Sequence, residues 1–248
     1  MAGDSSTPSG SCRRGARTGG IARRLAQPPA TCWQPYGLAR EAASRNATKK
    51  DMTSPDAKAA LRSDLRARLA DVPPGERAAE SLAAQAILRG QAVWQKAASV
   101  LFYAPLPDEL DLWPMLSEAL AAGKLAALPR FDQGLNGYRP FIVRNPLTDL
   151  SKGRYGIPEP APHCEAAATN QLDLALVPGV GFDVVGCRLG RGKGFYDRML
   201  AEVSGTKCGI AYDFQVRPAI PAEPHDVCLD CILTPTRWHV VAGHRPVT

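Results

Sequence analysis

The sequence predicts an α/β fold: a mostly parallel sheet covered by helices. Two observations carry this. Short apolar runs alternate with longer segments whose apolar residues recur at spacings of three and four. The links between Ala98–Tyr103, Leu112–Ala122 and Lys124–Leu128 are brief, as in a parallel βαβ unit with a right-handed crossover.

Each element has its own signal. A helix is expected after Ser54-Pro55-Asp56, a cap with an acid in the first turn. Leu61, Leu65 and Leu69 fall four apart on one face. Lys58 and Arg62 share another, the solvated basic edge of an amphipathic helix. Pro73-Pro74 ends this helix, and an Ala-rich one follows from Glu76 to Leu88. Ala98–Tyr103 reads as a buried strand. The loop Ala104–Glu109 lies at its carboxyl end, where open parallel sheets bind ligands. The helix Leu112–Ala122 stops at Gly123, and Lys124–Leu128 is the next strand. Further strands are expected at Tyr138–Val143, Lys207–Tyr212, Cys231–Leu233 and Trp238–Val241. Arg130 and Arg139 are either ligands for acidic groups or ordinary surface arginines.

Residues 1–54 have little hydrophobic periodicity and are rich in Ser, Gly, Ala, Pro and Arg. A transit peptide, a disordered tail and a non-native extension upstream of Met52 all fit this composition. The last two are preferred, with 55–248 as the folded domain and a cytoplasmic location. A chain starting at Met52 is expected to keep full activity; inactivity with the fold intact would sink that reading.

Charge follows the same division. Residues 1–50 carry nine basic and two acidic residues, and the remainder 21 basic and 22 acidic. The body is therefore near neutral, so the net charge of +6 does not point to nucleic acid. No apolar run approaches the ~20 residues that span a bilayer. The seven cysteines are odd in number and irregularly spaced, which suits a reducing compartment better than a disulfide framework. Cys228-Leu-Asp-Cys231 lacks a second pair at zinc spacing, although His225 lies nearby; small apolar residues beside a strand are the plainer reading.

The most informative stretch is Leu172–Leu200, read as strand, glycine-rich loop and helix. Leu172–Val177 is the apolar run, and Pro178-Gly179 stops it. Gly190, Gly192 and Gly194 alternate with Leu189, Arg191 and Lys193. Glycines let backbone N–H groups approach an oxyanion closely. A helix from Phe195, with Tyr196, Met199, Leu200 and Val203 on one face, would aim its positive end at the same place. Arg188, Arg191 and Lys193 add cations suited to phosphate. Asp197, in the first turn, is placed to hold Mg²⁺ beside phosphates. The spacing is neither a Walker A loop nor a Rossmann fingerprint, and a basic surface turn is the bland alternative.

VPGVGFD (177–183), RLGRGKGFYD (188–197) and His225-Asp226 together resemble the 5-formyltetrahydrofolate cyclo-ligase family, also called methenyltetrahydrofolate synthetases. The resemblance covers roughly Lys58 to Thr234 and implies a single three-layer α/β/α domain. It implies an ATP site at Lys58, Arg62, Arg188, Leu189, Gly190, Arg191, Gly192, Lys193, Gly194, Phe195 and Tyr196. It implies folate contacts at Ala104, Glu109, Tyr155, Arg191 and Phe195, with Arg191 and Lys193 catalytic and Asp197 and Asp226 holding Mg²⁺. Glu109 is otherwise a helix-capping acid, and Tyr155 a core or turn tyrosine. His225 reads as a proton shuttle or a structural histidine. Phe195 departs from the family pattern, standing where the first of two adjacent tyrosines is often found.

The implied reaction is ATP-dependent closure of 5-formyltetrahydrofolate to 5,10-methenyltetrahydrofolate, with ADP and phosphate released. The implied partners are those two small molecules alone, with no nucleic acid or membrane, and the protein is expected to be a monomer. Two other functions fit parts of the sequence. One is a nucleotide-independent isomerase or transferase acting on a phosphorylated small molecule. The other is RNA binding through the basic N-terminal segment, disfavoured by the near-neutral body.

Overall fold

Helix α1 (Pro55–Asp71) buries Leu65 and Leu69 and stops two residues before Pro73. Pro74 opens α2 (Pro74–Arg89) at its first turn, where the missing N–H costs nothing. A short helix α3 (Ala92–Lys96) leads into strand β1 (Ser99–Leu101). Helix α4 (Trp113–Ala121) then carries the chain to β2 (Leu125–Asp132), which turns back into β3 (Gly137–Val143). The computed structural model describes residues 55–153, 156–223 and 226–241. The expectations placed on residues 1–54, Tyr155 and His225 lie outside the described residues.

The chain continues through a one-turn helix α5 (Pro146–Asp149) into a hairpin of β4 (Leu150–Lys152) and β5 (Pro158–Pro160). Strand β6 (Leu174–Pro178) is followed by β7 (Gly181–Asp183), β8 (Arg188–Leu189) and helix α6 (Phe195–Leu200). Strands β9 (Thr206–Ile210), β10 (Val216–Arg217), β11 (Cys231–Leu233) and β12 (Trp238–Val240) complete the described chain.

Seven strands form the main sheet in the order β12-β11-β9-β6-β1-β2-β3. The five central strands are parallel, and β3 and β12 add antiparallel edges. The strands bury side chains on both faces, as parallel strands between helices must. Val100, Leu128, Leu174 and Leu176 join one cluster with Leu69, Leu88 and Met115 from α1, α2 and α4. Leu101, Ala127, Ala175 and Val177 face the other way, against Phe182, Met199 and Leu200. The result is three layers, as the family resemblance implied.

Two local expectations change, and five short strands are additional. Helix α6 ends at Leu200, because Val203 turns back with a tighter N–H bond to the Leu200 carbonyl while still burying its side chain. Strand β2 extends to Asp132, since its hairpin with β3 continues past the last apolar residue of the predicted run. Strands β4, β5, β7, β8 and β10, of two or three residues each, are too short to show a period of two.

Gly205 links α6 to β9 at a close approach: a β-carbon there would run into the backbone of Leu172 and Asp173. Gly205→Ala is expected to destabilise the fold by about 1–3 kcal/mol, measured by denaturant unfolding.

The strand order places the site. From β1 the chain moves one way to β2, then returns on the other side of β1 for β6, β9 and β11. Loops leaving the carboxyl ends of β1 and β6 diverge at this switch point and open a crevice between them.

Candidate active site

The crevice is a cavity of about 440 Å³. The β1 loop contributes Ala104, Leu106 and Glu109; the end of β6 contributes Pro178 and Gly179. Arg188, Gly190, Arg191, Lys193, Gly194, Phe195, Tyr196 and Asp197 form another wall. Pro129 and Tyr138 enter from β2 and β3, and Ile157, Pro158 and Glu159 from the hairpin.

The glycine-rich wall is positioned by a buried carboxylate. Asp183 Oδ1 accepts from the Val185 and Cys187 N–H groups at 3.1 and 2.9 Å. Its Oδ2 accepts from the Ile220 N–H at 2.9 Å. This fixes the β7–β8 turn and delivers Arg188 and Leu189 in strand pairing with Phe182 and Gly181. The next residues need glycine: Gly192 has φ 101° and Gly194 φ 63°, in the left-handed region. Helix α6, only six residues long, begins immediately afterwards.

Arginines tie this loop to distant parts of the chain. Arg62 Nε donates to the Gly190 carbonyl at 3.0 Å, and Arg66 Nη2 to the Arg191 carbonyl at 3.3 Å. Arg188 is buried, with Nη2 2.8 Å from Asp197 Oδ1, and its Nε has no hydrogen-bond partner among the described residues. Arg191 Nη2 lies 3.0 Å from Glu109 Oε1 and 3.1 Å from Asp108 Oδ1. Glu109 Oε2 accepts from the Leu106 N–H at 3.1 Å, so its carboxylate is oriented at the crevice wall. Burial raises the Glu109 carboxyl above its ordinary value, and the Arg191 guanidinium pulls part of that rise back.

Of the residues singled out from sequence, Ala104, Glu109, Arg188, Gly190, Arg191, Lys193, Gly194, Phe195, Tyr196 and Asp197 converge on the crevice. Arg62 reaches the loop from outside it. Leu189 is core, pairing with Gly181. Lys58 is held apart from the lining by Glu223 Oε1 at 2.9 Å and Asp226 Oδ2 at 3.2 Å. Burial acts to lower its ammonium, but hydrogen bonds to those two carboxylates outweigh it and leave it raised. Asp197 and Asp226 are thus each engaged by a different cation. Phe195 packs edge-to-face on Phe131 and Tyr138, with centroids 5.3 and 5.6 Å away, contacts that need no hydroxyl.

Sequence reasoning missed Asp108, Tyr138 and Glu159. Asp108 was legible only as the neighbour of Glu109, Tyr138 only as a strand residue, and Glu159 only as part of Gly-Ile-Pro-Glu-Pro. Glu159 is buried, and its Oε2 accepts from the Phe131 N–H at 3.3 Å.

A glycine-walled crevice at a sheet switch point, with arginines on one side and a buried carboxylate facing them, defines a small-molecule-binding α/β protein that handles anions. A model of the 5-formyltetrahydrofolate cyclo-ligase family matches residues 54–235, and the chain belongs to that family. It is 30% identical over 195 residues to 5-formyltetrahydrofolate cyclo-ligase of Mus musculus, covering 73% of this chain and 95% of the mouse protein. It is 34% identical over 196 residues to the enzyme of the same name from Mycolicibacterium smegmatis, covering 74% and 96%. Among solved structures, the 5,10-methenyltetrahydrofolate synthetase of Aquifex aeolicus superposes with a TM-score of 0.69 at 32% identity, covering 77% of this chain and 96% of that one. No helix among the described residues is long and apolar enough to cross a membrane.

Proposed function

We propose that the protein catalyses ATP-dependent cyclisation of 5-formyltetrahydrofolate to 5,10-methenyltetrahydrofolate, as a cytoplasmic monomer. The observation that carries this reading is the position of Arg191. One guanidinium joins the glycine loop, assigned to the nucleotide, to Glu109, assigned to the folate, in a single crevice lining.

The chemical difficulty is the formamide, whose oxygen is a poor leaving group. The γ-phosphoryl group of ATP is transferred to that oxygen and ADP departs. The neighbouring anilino nitrogen attacks the activated carbon, the ring closes, and the oxygen leaves as inorganic phosphate. The protein supplies no nucleophile; it contributes position and charge. Arg191 and Lys193 neutralise the transferring group, with the Gly190–Gly194 backbone and Arg188 beside it. Arg62 holds the loop against α1, and Lys58 is assigned to the nucleotide with it. Glu109 accepts from the N–H groups of the pterin. Ala104, Tyr155 and Phe195 are assigned to the folate.

Asp197 and Asp226 are assigned to Mg²⁺. Carboxylate oxygens suit this hard cation, which takes one or two of them and fills its shell with phosphates and water. Asp197 fits in both chemistry and position, because it lines the crevice. Asp226, paired with Lys58, fits in chemistry. When bound, Mg²⁺ would neutralise phosphate oxygens.

ADP release measured with purified protein tests the reading: it should require 5-formyltetrahydrofolate. Turnover of a phosphorylated small molecule without nucleotide, and none of the folate, would favour the isomerase or transferase alternative. A pH dependence also follows. Glu109 offers both oxygens as charged acceptors only as the carboxylate, and protonation turns one of them into a donor, so folate kcat/KM should fall as pH drops through its raised pKa. Arg191 holds that pKa down, so in Arg191→Ala the acid limb should move to higher pH. A limb that stays in place would remove Glu109 from this role.

A further inference from the structure

Outside the crevice, three metal-ligating side chains converge at the base of the β4–β5 hairpin. Asp149 immediately precedes β4, and His163-Cys164 follow β5. One ligand atom from each of Asp149, His163 and Cys164 lies within 4.8 Å of the others. His163 Nε2 is 3.3 Å from Asp149 Oδ1. Two nitrogen or oxygen ligands on a tetrahedral zinc, bonded at about 2.1 Å, sit about 3.4 Å apart, so this pair already has the required spacing.

The arrangement is braced from behind. Asp149 Oδ2 accepts from the Arg144 and Asn145 N–H groups at 2.8 and 2.9 Å, and Oδ1, which accepts from the Thr148 hydroxyl at 2.9 Å, faces His163. Those two backbone bonds fix the orientation of the carboxylate. Such orientation of a ligand by its outer neighbours is typical of working metal sites. The Ala161 N–H donates to the Asp149 carbonyl at 2.7 Å, and the Cys164 N–H to the Ala161 carbonyl at 3.0 Å. The Cys164 thiol points back at the Asp149 carbonyl at 3.4 Å. Two cations lie nearby: Arg144 is engaged by Glu165 at 2.9 Å, and Arg130 donates to the Ala161 and Pro160 carbonyls at 2.6 and 3.3 Å. His163 is exposed and gives access from solvent, whereas Cys164 is buried and shielded from oxidants.

We propose that Asp149, His163 and Cys164 form a three-ligand site for a soft divalent cation of the zinc class. On binding, the Cys164 thiol releases its proton to solvent and the thiolate becomes a ligand. A water molecule fills the fourth position. The cation clips together the two ends of the hairpin whose residues Ile157–Glu159 wall the crevice.

The test uses the full chain, stripped of metal by a chelator and titrated with Co²⁺ as the probe. The expected result is the visible spectrum of tetrahedral Co²⁺ with a thiolate charge-transfer band, saturating at about one equivalent and displaced by Zn²⁺. Both features should vanish in Cys164→Ser and in His163→Ala, and persist in Cys228→Ser. Because His163 is exposed, its variant should keep the fold even if the buried cysteine variant does not. No spectrum in the wild type, or one that survives His163→Ala, would overturn the site.

Discussion

Arg191→Ala is expected to cut turnover by about a hundredfold or more while weakening folate binding far less. A cation aimed at charge that develops during phosphoryl transfer acts on the transition state, and losses of this type are commonly of that size. The guanidinium is partly in solvent and held by two carboxylates, Asp108 and Glu109. Steady-state kinetics with both substrates varied will separate kcat from KM. An unchanged kcat would contradict the role.

Glu109→Gln should lower kcat/KM for the folate by roughly tenfold to a hundredfold, the worth of one or two hydrogen bonds to a charged acceptor. The KM for ATP should change much less, because the carboxylate is assigned to the folate and meets the glycine loop only through the Arg191 guanidinium. The amide keeps the side chain's size and its capacity to accept from the Leu106 N–H, so the β1 loop should hold its shape. Equal losses for both substrates would point to collapse of the Arg191 bridge rather than loss of a pterin contact.

Much of this was legible in the chain itself. The Gly190–Gly194 run, with its flanking cations, suggested a phosphate cradle or a basic surface turn, and four of its five residues line the crevice. The apolar runs that became β1, β6, β9 and β11 were visible because parallel strands bury both faces and therefore read as continuous hydrophobic stretches. What stayed hidden was long-range. Arg191 meets Glu109 across 82 residues, and Arg62 meets Gly190 across 128. No local period encodes such pairs; only the family resemblance put their members in one list. The pairing of Lys58 with Glu223 and Asp226 was equally invisible, as it depends on a loop 165 residues away folding back over α1. Tyr138 escaped because its part in the aromatic cluster with Phe195 and Tyr196 arises from the β2–β3 hairpin lying over α6.

The most direct test of the central claim is optical. Purified protein is mixed with 5-formyltetrahydrofolate, with and without MgATP, and followed for the methenyl chromophore. The chromophore should appear only when MgATP is present, matched by equal amounts of ADP and phosphate. Its absence under both conditions, or its appearance at the same rate without nucleotide, would contradict the account.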